Sequence, residues 1–141
     1  MTSTSVTGFD LCLPIADRRS SMAFYREAFG FEPIGAPAED GVPEPLQYQL
    51  GTTVMLTLIP ADRLEWVLGT RALAPQGLSE CLLGLTVNTE TDVDDFVTRV
   101  VRAGGEVIAE PVRQDWGYTA LCADLDGHAW QLTAYPAAAR P

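Results

Sequence analysis

The sequence predicts an α+β fold made of two tandem β-α-β-β-β modules. Three observations carry that expectation. One order of elements is used twice along the chain. Gly30, Glu32 and Ile34 of the first half recur as Gly104, Glu106 and Ile108 of the second, an offset of roughly 74 residues. With 141 residues, 47% of them hydrophobic, the chain has the size and apolar content of one ordinary domain with a substantial core.

Each element has a local reason. FDLCLPI (9–15) alternates Leu11, Leu13 and Ile15 with Asp10, Cys12 and Pro14, the period of a half-buried strand. ADRRSSMAFYREAFGF follows as a helix, with Asp17 as its cap, Met22, Phe24 or Tyr25, and Phe29 at helical spacing, and Gly30 as the stop. A short strand is expected near Glu32 to Gly35. GAPAEDGVPEP reads as a loop, and LQYQLGTTVMLTLI as two strands meeting near Gly51 and Thr52. The connector ADRLEWVLGTRALAPQGLSE has room for a short helical turn and carries Trp66.

The second module repeats the pattern. CLLGLTVN places Leu83, Leu85 and Val87 on one face. TETDVDDFVTRVVRAGG is an amphipathic helix with an acidic start and Val93, Phe96, Val97, Val100 and Val101 inward. GGEVIAEP is a strand, and WGYTALCADLDGHAWQLTAY closes the chain as a hairpin. The expected organisation is a single domain over 1–141, with module one at 8–60, a connector at 61–80, module two at 81–136 and a tail at 137–141.

Composition excludes several functions. A net charge of −10 argues against binding to nucleic acid, which needs clustered cations. No apolar run approaches the 18 or so residues of a membrane span. All nine basic residues are arginine, so lysine Schiff-base and lysine general-base chemistry are excluded. Cys12, Cys81 and Cys122 are odd in number and lack zinc-site spacing; they are expected to be buried free thiols of a reducing compartment. MTSTSVTGFD lacks the basic start and apolar core of a secretory signal, which leaves a cytoplasmic location as the expectation.

The paired modules, the helix opening AD-x-x-x-S-M-A-FY-x-x-x-F-GF, the VDDFVTRVVRAGGEVIAEP stretch and the closing DLDGHAWQL resemble the vicinal oxygen chelate superfamily. This group takes in glyoxalase I, extradiol dioxygenases, fosfomycin-modifying enzymes, and metal-free bleomycin-resistance and mitomycin-binding proteins. The resemblance implies curved mixed sheets around a cavity and a homodimer. It implies no single reaction, because the fold hosts unrelated activities. It also implies a metal site in the metal-dependent members, usually His on the first strand of each module and Glu, Gln or His on the last. Here those positions hold Asp10, then Leu82 or Gly84, Met55 or Thr57, and Gln131. Leu82, Gly84 and Met55 cannot complete the shell of a hard divalent ion, so no metal or other cofactor is expected.

His128, the only histidine, follows the Asp126-Gly127 pair, a strong hairpin signal, and lies three residues before Gln131, on the opposite strand face. It reads as a turn residue. By the same parity the candidate cavity lining comprises Asp10, Cys12, Met55, Thr57, Leu82, Gln131, Thr133 and Tyr135. Tyr118 joins the Gln131 face if the hairpin loop is even-numbered, and Trp116 lies near the mouth. For Tyr118, Trp116 and Tyr135, ligand contact and plain packing weigh equally. Asp10, a carboxylate on an inward face, must be hydrated, paired with an arginine such as Arg113, or set to receive a cationic ligand.

No Ser-His-Asp order and no phosphate-cradling glycine loop is present, and no residue is assigned a catalytic role. The leading expectation is a metal-independent protein that binds a small aromatic or cationic molecule. The alternative is a glyoxalase- or dioxygenase-like enzyme in which Asp10 and Gln131 hold an atypical divalent ion. A third reading is a structural or regulatory dimer with a vestigial cavity.

Overall fold

In the computed structural model, which describes residues 5–137, seven strands and three helices alternate as β1 (Phe9–Ile15), α1 (Arg18–Phe29), β2 (Leu46–Leu50), β3 (Val54–Pro60), α2 (Ala61–Leu68), β4 (Leu83–Val87), α3 (Glu90–Arg102), β5 (Glu106–Gln114), β6 (Gly117–Ala123) and β7 (Ala129–Ala134). The fold is α+β with two mixed sheets, ordered β1-β3-β2 and β4-β7-β6-β5. Packing divides the chain into two units. One comprises residues 1–22 and 31–73, the other 23–30 and 74–141. Of the expected tail, 138–141 lie outside the described residues.

In the first unit β1 pairs parallel with β3 and β2 pairs antiparallel with it. Alternation then sorts the side chains. Leu13, Ile15, Leu46, Tyr48, Leu56 and Leu58 turn to the buried face, where Leu64 of α2 joins them. Asp10, Cys12, Gln47, Met55 and Thr57 turn the other way. Helix α1 begins at a cap supplied by Asp17, whose carboxylate accepts the Ser20 amide at 2.7 Å. That hydrogen bond is the main reason the Asp17 carboxyl titrates below its ordinary value.

The expected strand near Glu32 to Gly35 does not form. The Ile34 amide still reaches the sheet, donating to the Gln47 carbonyl at 2.9 Å. Pro33 and Pro37 have no amide to donate, and Gly35 sits at φ +92°. The equivalent residues of the second half form β5 because its proline, Pro111, falls where the pairing with β6 shifts register.

In the second unit the sheet's buried face carries Ala120, Cys122, Trp130 and Leu132, against Val93, Val97 and Val100 of α3. Trp130 anchors an aromatic cluster with Tyr25 and Phe29, at ring-centroid distances of 5.9 and 5.1 Å. Burial of each such large side chain stabilises the fold by roughly 1.5–3 kcal/mol. Helix α3 starts in a capping box: Thr89 accepts from the Asp92 amide, and Asp92 accepts from the Thr89 amide. It ends in a Schellman motif, Gly104 donating to Val101 and Gly105 to Val100.

Candidate functional site

The open sheet face of the first unit concentrates its polar groups. Asp10 pairs across the ladder with Met55, Cys12 with Thr57, and Gln47 with Thr57, so alternation brings these side chains to one surface. Gln47 donates through Nε2 to Thr57 Oγ1 at 3.0 Å, and Thr57 Oγ1 donates to Asp10 Oδ1 at 2.6 Å. Thr57 is buried while Asp10 is exposed, so a fixed hydroxyl orients a carboxylate that meets solvent. Beside this row lies a depression of about 470 Å³, whose walls include Phe9, Asp10, Gln47, Gln49, Thr53 and Met55. Gln47 was not anticipated as a site residue. The alternation of LQYQL was the signal for it, since the glutamines fall opposite Leu46, Tyr48 and Leu50.

Arg113 was one expected partner for Asp10. That arginine lies in the second unit and is ion-paired with Glu90 at the start of α3.

Cys12 also departs from expectation, as does Cys81: both are exposed, and only Cys122 is a core thiol. β1 turns Cys12 to the open face, and Cys81 precedes β4 in an exposed stretch. Burial, then the negative charge and hydrogen bond of Asp10, hold the Cys12 thiol above its ordinary pKa, which opposes a role as nucleophile. Burial pushes Cys122 to about 11. In native protein a thiol reagent such as Ellman's is therefore expected to titrate Cys81 and Cys12, with Cys12 slower than free cysteine, and to reach Cys122 only after denaturant is added. Release of three equivalents without denaturant would contradict this placement of Cys122.

In the second unit the hairpin loop between Ala123 and Ala129 has five residues, 124–128, an odd number. The odd loop reverses the parity expected for β6. Leu121 and Thr119, not Tyr118, Ala120 and Cys122, share a face with Gln131 and Thr133. Thr119 and Thr133 join their hydroxyls at 3.1 Å. Tyr118 instead lies on the helix-covered side and donates to Asp94 of α3 at 2.8 Å, the bond chiefly responsible for raising its pKa. Gln131 faces Gly84 across β4 and is half-buried, and Leu82 precedes β4 and is exposed. Trp116, in the turn between β5 and β6, rests against Tyr135 at 6.3 Å. A groove of about 480 Å³ near them is lined by residues including Asn88, Thr89, Arg113, Tyr118 and Tyr135. His128 belongs to the turn: its amide donates to Asp124 Oδ1 at 2.9 Å and its carbonyl accepts the Asp124 amide at 3.1 Å.

The donor chemistry at the expected metal positions does not fit a hard divalent ion. Asp10, Thr57 and Gln131 supply one carboxylate, one hydroxyl whose hydrogen is already turned to that carboxylate, and one amide. Leu82, Gly84 and Met55 supply no oxygen or nitrogen side-chain donor. Among the described residues no three His, Cys, Asp or Glu side chains are grouped to hold a metal.

Comparison with known proteins agrees with this architecture. Residues 9–132 match the Glyoxalase/Bleomycin resistance protein/Dioxygenase superfamily. Among solved structures, the hypothetical protein SA1046 from S. aureus is 28% identical with a TM-score of 0.76, over 94% of this chain and 95% of that one. A glyoxalase-related enzyme from Fulvimarina pelagi is 27% identical with a TM-score of 0.78, over 90% and 86%. TnmS3, an antibiotic binding protein from Streptomyces sp. CB03234, shares the fold at 23% identity and a TM-score of 0.59, over 96% and 99%. None of the curated proteins compared by sequence matches the chain.

Proposed function

The chain belongs to the Glyoxalase/Bleomycin resistance protein/Dioxygenase superfamily, and within that family we propose that it is a metal-independent protein that binds and sequesters a small aromatic or cationic molecule. The observation that carries this reading is the Asp10-Thr57-Gln47 row beside an open depression. An oriented carboxylate beside Met55, in a depression whose walls include Phe9, suits a ligand with a charged group and an apolar body. That an antibiotic binding protein has the same fold makes small-molecule binding a role this fold can serve.

The proposal includes a homodimer. Phe9, Leu82, Ile108 and Val112 are all exposed, Phe9 to 60%, and leave apolar area that a second copy would cover. It also includes a reducing, cytoplasmic setting, in keeping with three cysteines that form no disulfide. Among the described residues no helix is long and apolar enough to cross a membrane.

The test is titration with proflavine, a planar aromatic cation, followed by dye polarisation with EDTA present and again with added Mn²⁺ or Zn²⁺. Saturable binding unaffected by EDTA is expected. Binding or turnover that requires the metal, and is lost equally in Asp10→Ala and Gln131→Ala, would overturn metal independence in favour of an atypical metalloenzyme.

A further inference from the structure

From the direction of the hydrogen bonds on the open face of the first unit, we infer that the ligand presents a positively charged N–H group, such as a protonated amine, amidinium or guanidinium, to Asp10. This inference rests on the binding role proposed above and names the chemical class of the ligand.

The row has a polarity. Gln47 spends an amide hydrogen on Thr57, and Thr57 spends its only hydroxyl hydrogen on Asp10 Oδ1. Gln49 turns its amide nitrogen toward the Thr52 carbonyl, 3.5 Å away. Each of these side-chain donors therefore points into the protein framework. The only charged group the wall offers a ligand is an acceptor, the carboxylate of Asp10, and the amide oxygens of the two glutamines add neutral acceptors beside it. Threonine hydroxyls at the rim serve in either sense.

Charge points the same way. Among the described residues lining the depression there is no Arg or His, and the chain contains no Lys. Two arginines of this unit are used elsewhere: Arg18 is ion-paired with Asp40 and Glu44, and Arg19 donates to the Asp40 carbonyl at 2.8 Å. A carboxylate, phosphate or enolate ligand would meet a like charge with only neutral amide and hydroxyl donors to offset it. A cation with two or more N–H groups would gain a charge-assisted hydrogen bond at Asp10 and find further acceptors in Gln47 and Gln49. The net charge of −10 favours its approach.

Three compounds with one ring and different heads test the inference: benzamidinium, benzamide and benzoate. Each is titrated into the full 141-residue chain in EDTA at low salt, followed by ¹H–¹⁵N correlation spectra. Benzamidinium is expected to shift the amides of Asp10, Cys12, Met55 and Thr57 saturably and to bind at least ~10-fold tighter than benzamide, about 1.4 kcal/mol. Asp10→Asn should abolish that preference, and 0.5 M NaCl should weaken it. The side chain is exposed, so an unchanged spectrum away from the face reports that the variant is folded. Benzoate or benzamide binding this face as tightly as benzamidinium would overturn the inference while leaving a binding role intact. Shifts confined to the surroundings of Gln131, or no saturable shift from any of the three, would overturn both. The wild-type comparison of the three compounds decides the matter even without the variant.

Discussion

Replacing Asp124 by alanine is expected to cost about 3 kcal/mol of stability, because two buried side-chain donors and two half-buried turn amides lose their carboxylate acceptor, at roughly 1–3 kcal/mol for each buried donor. Asp124 is buried at the end of β6, and four donors converge on it. Oδ1 accepts the amides of Asp126 and His128 at 3.0 and 2.9 Å; Oδ2 accepts the Tyr25 hydroxyl and, at 3.2 Å, the Trp130 indole. One carboxylate thus closes the DLDGH turn and ties β7 to the second half of α1. A loss of that size is a large part of the 5–15 kcal/mol typical of a domain. Urea unfolding followed by tryptophan emission measures it. Asp124→Asn should lie between wild type and alanine, because its single oxygen serves only one of the two donor pairs. Wild-type stability in Asp124→Asn would show that the charge and the second acceptor contribute nothing.

The same cluster sets an alkaline limit. Burial, then the adjacent Asp124 charge, raises the Tyr25 phenol well above its ordinary value of 10.0. The native state keeps this proton at a pH where the unfolded chain has lost it. The associated stability is complete below pH 10 and falls as the pH climbs toward the raised value. Tyr25→Phe should flatten the decline in midpoint above pH 10. Cys122, raised from 9.0 to about 11, and Tyr118, also raised, leave a smaller residual slope. An identical pH profile in Tyr25→Phe would show that folding does not raise the pKa of this phenol.

Gly105→Ala is the second large loss, about 1–3 kcal/mol as expected for overpacking, and more for Gly105→Val. A Cβ there would stand 2.6 Å from the Ala123 carbonyl oxygen, 2.7 Å from Val100 Cγ1 and 3.0 Å from Phe24 Cε2. The first of these is backbone in the sheet and cannot swing aside. Gly105 also donates to the Val100 carbonyl that ends α3, so any shift that relieves the clash disturbs the helix stop. Gly84→Ala is the matched control, since nothing lies within 4 Å of its Cβ position. Equal melting temperatures for the two variants would contradict this packing.

Much of the architecture was legible because it depends on local periodicity. Leu13 and Ile15 in β1, Val93, Val97 and Val100 in α3, and the Asp126-Gly127 turn each announce themselves through spacing or turn chemistry. The failures have physical causes of another kind. The strand expected near Glu32 was lost to prolines and to Gly35, although its counterpart in the second half forms. Tyr118 changed sides because a loop of five rather than four residues reverses parity along the whole of β6. Cys12 shares the face of Asp10 as expected, yet that face is open, so the thiol is exposed rather than buried.

The sequence by itself determined the two-module order, the helix starts and stops, and the absence of hard metal donors at Leu82, Gly84 and Met55, because each follows from residue identity or from contacts within a few positions. Only the tertiary structure decided that Gln47 and Thr57 orient Asp10, that Arg113 belongs to Glu90, and that Asp124 gathers Tyr25 and Trp130. All but the Asp124–Trp130 bond join residues 10 to about 100 positions apart, and strand register and hydrogen-bond direction at that range are fixed by how whole elements pack.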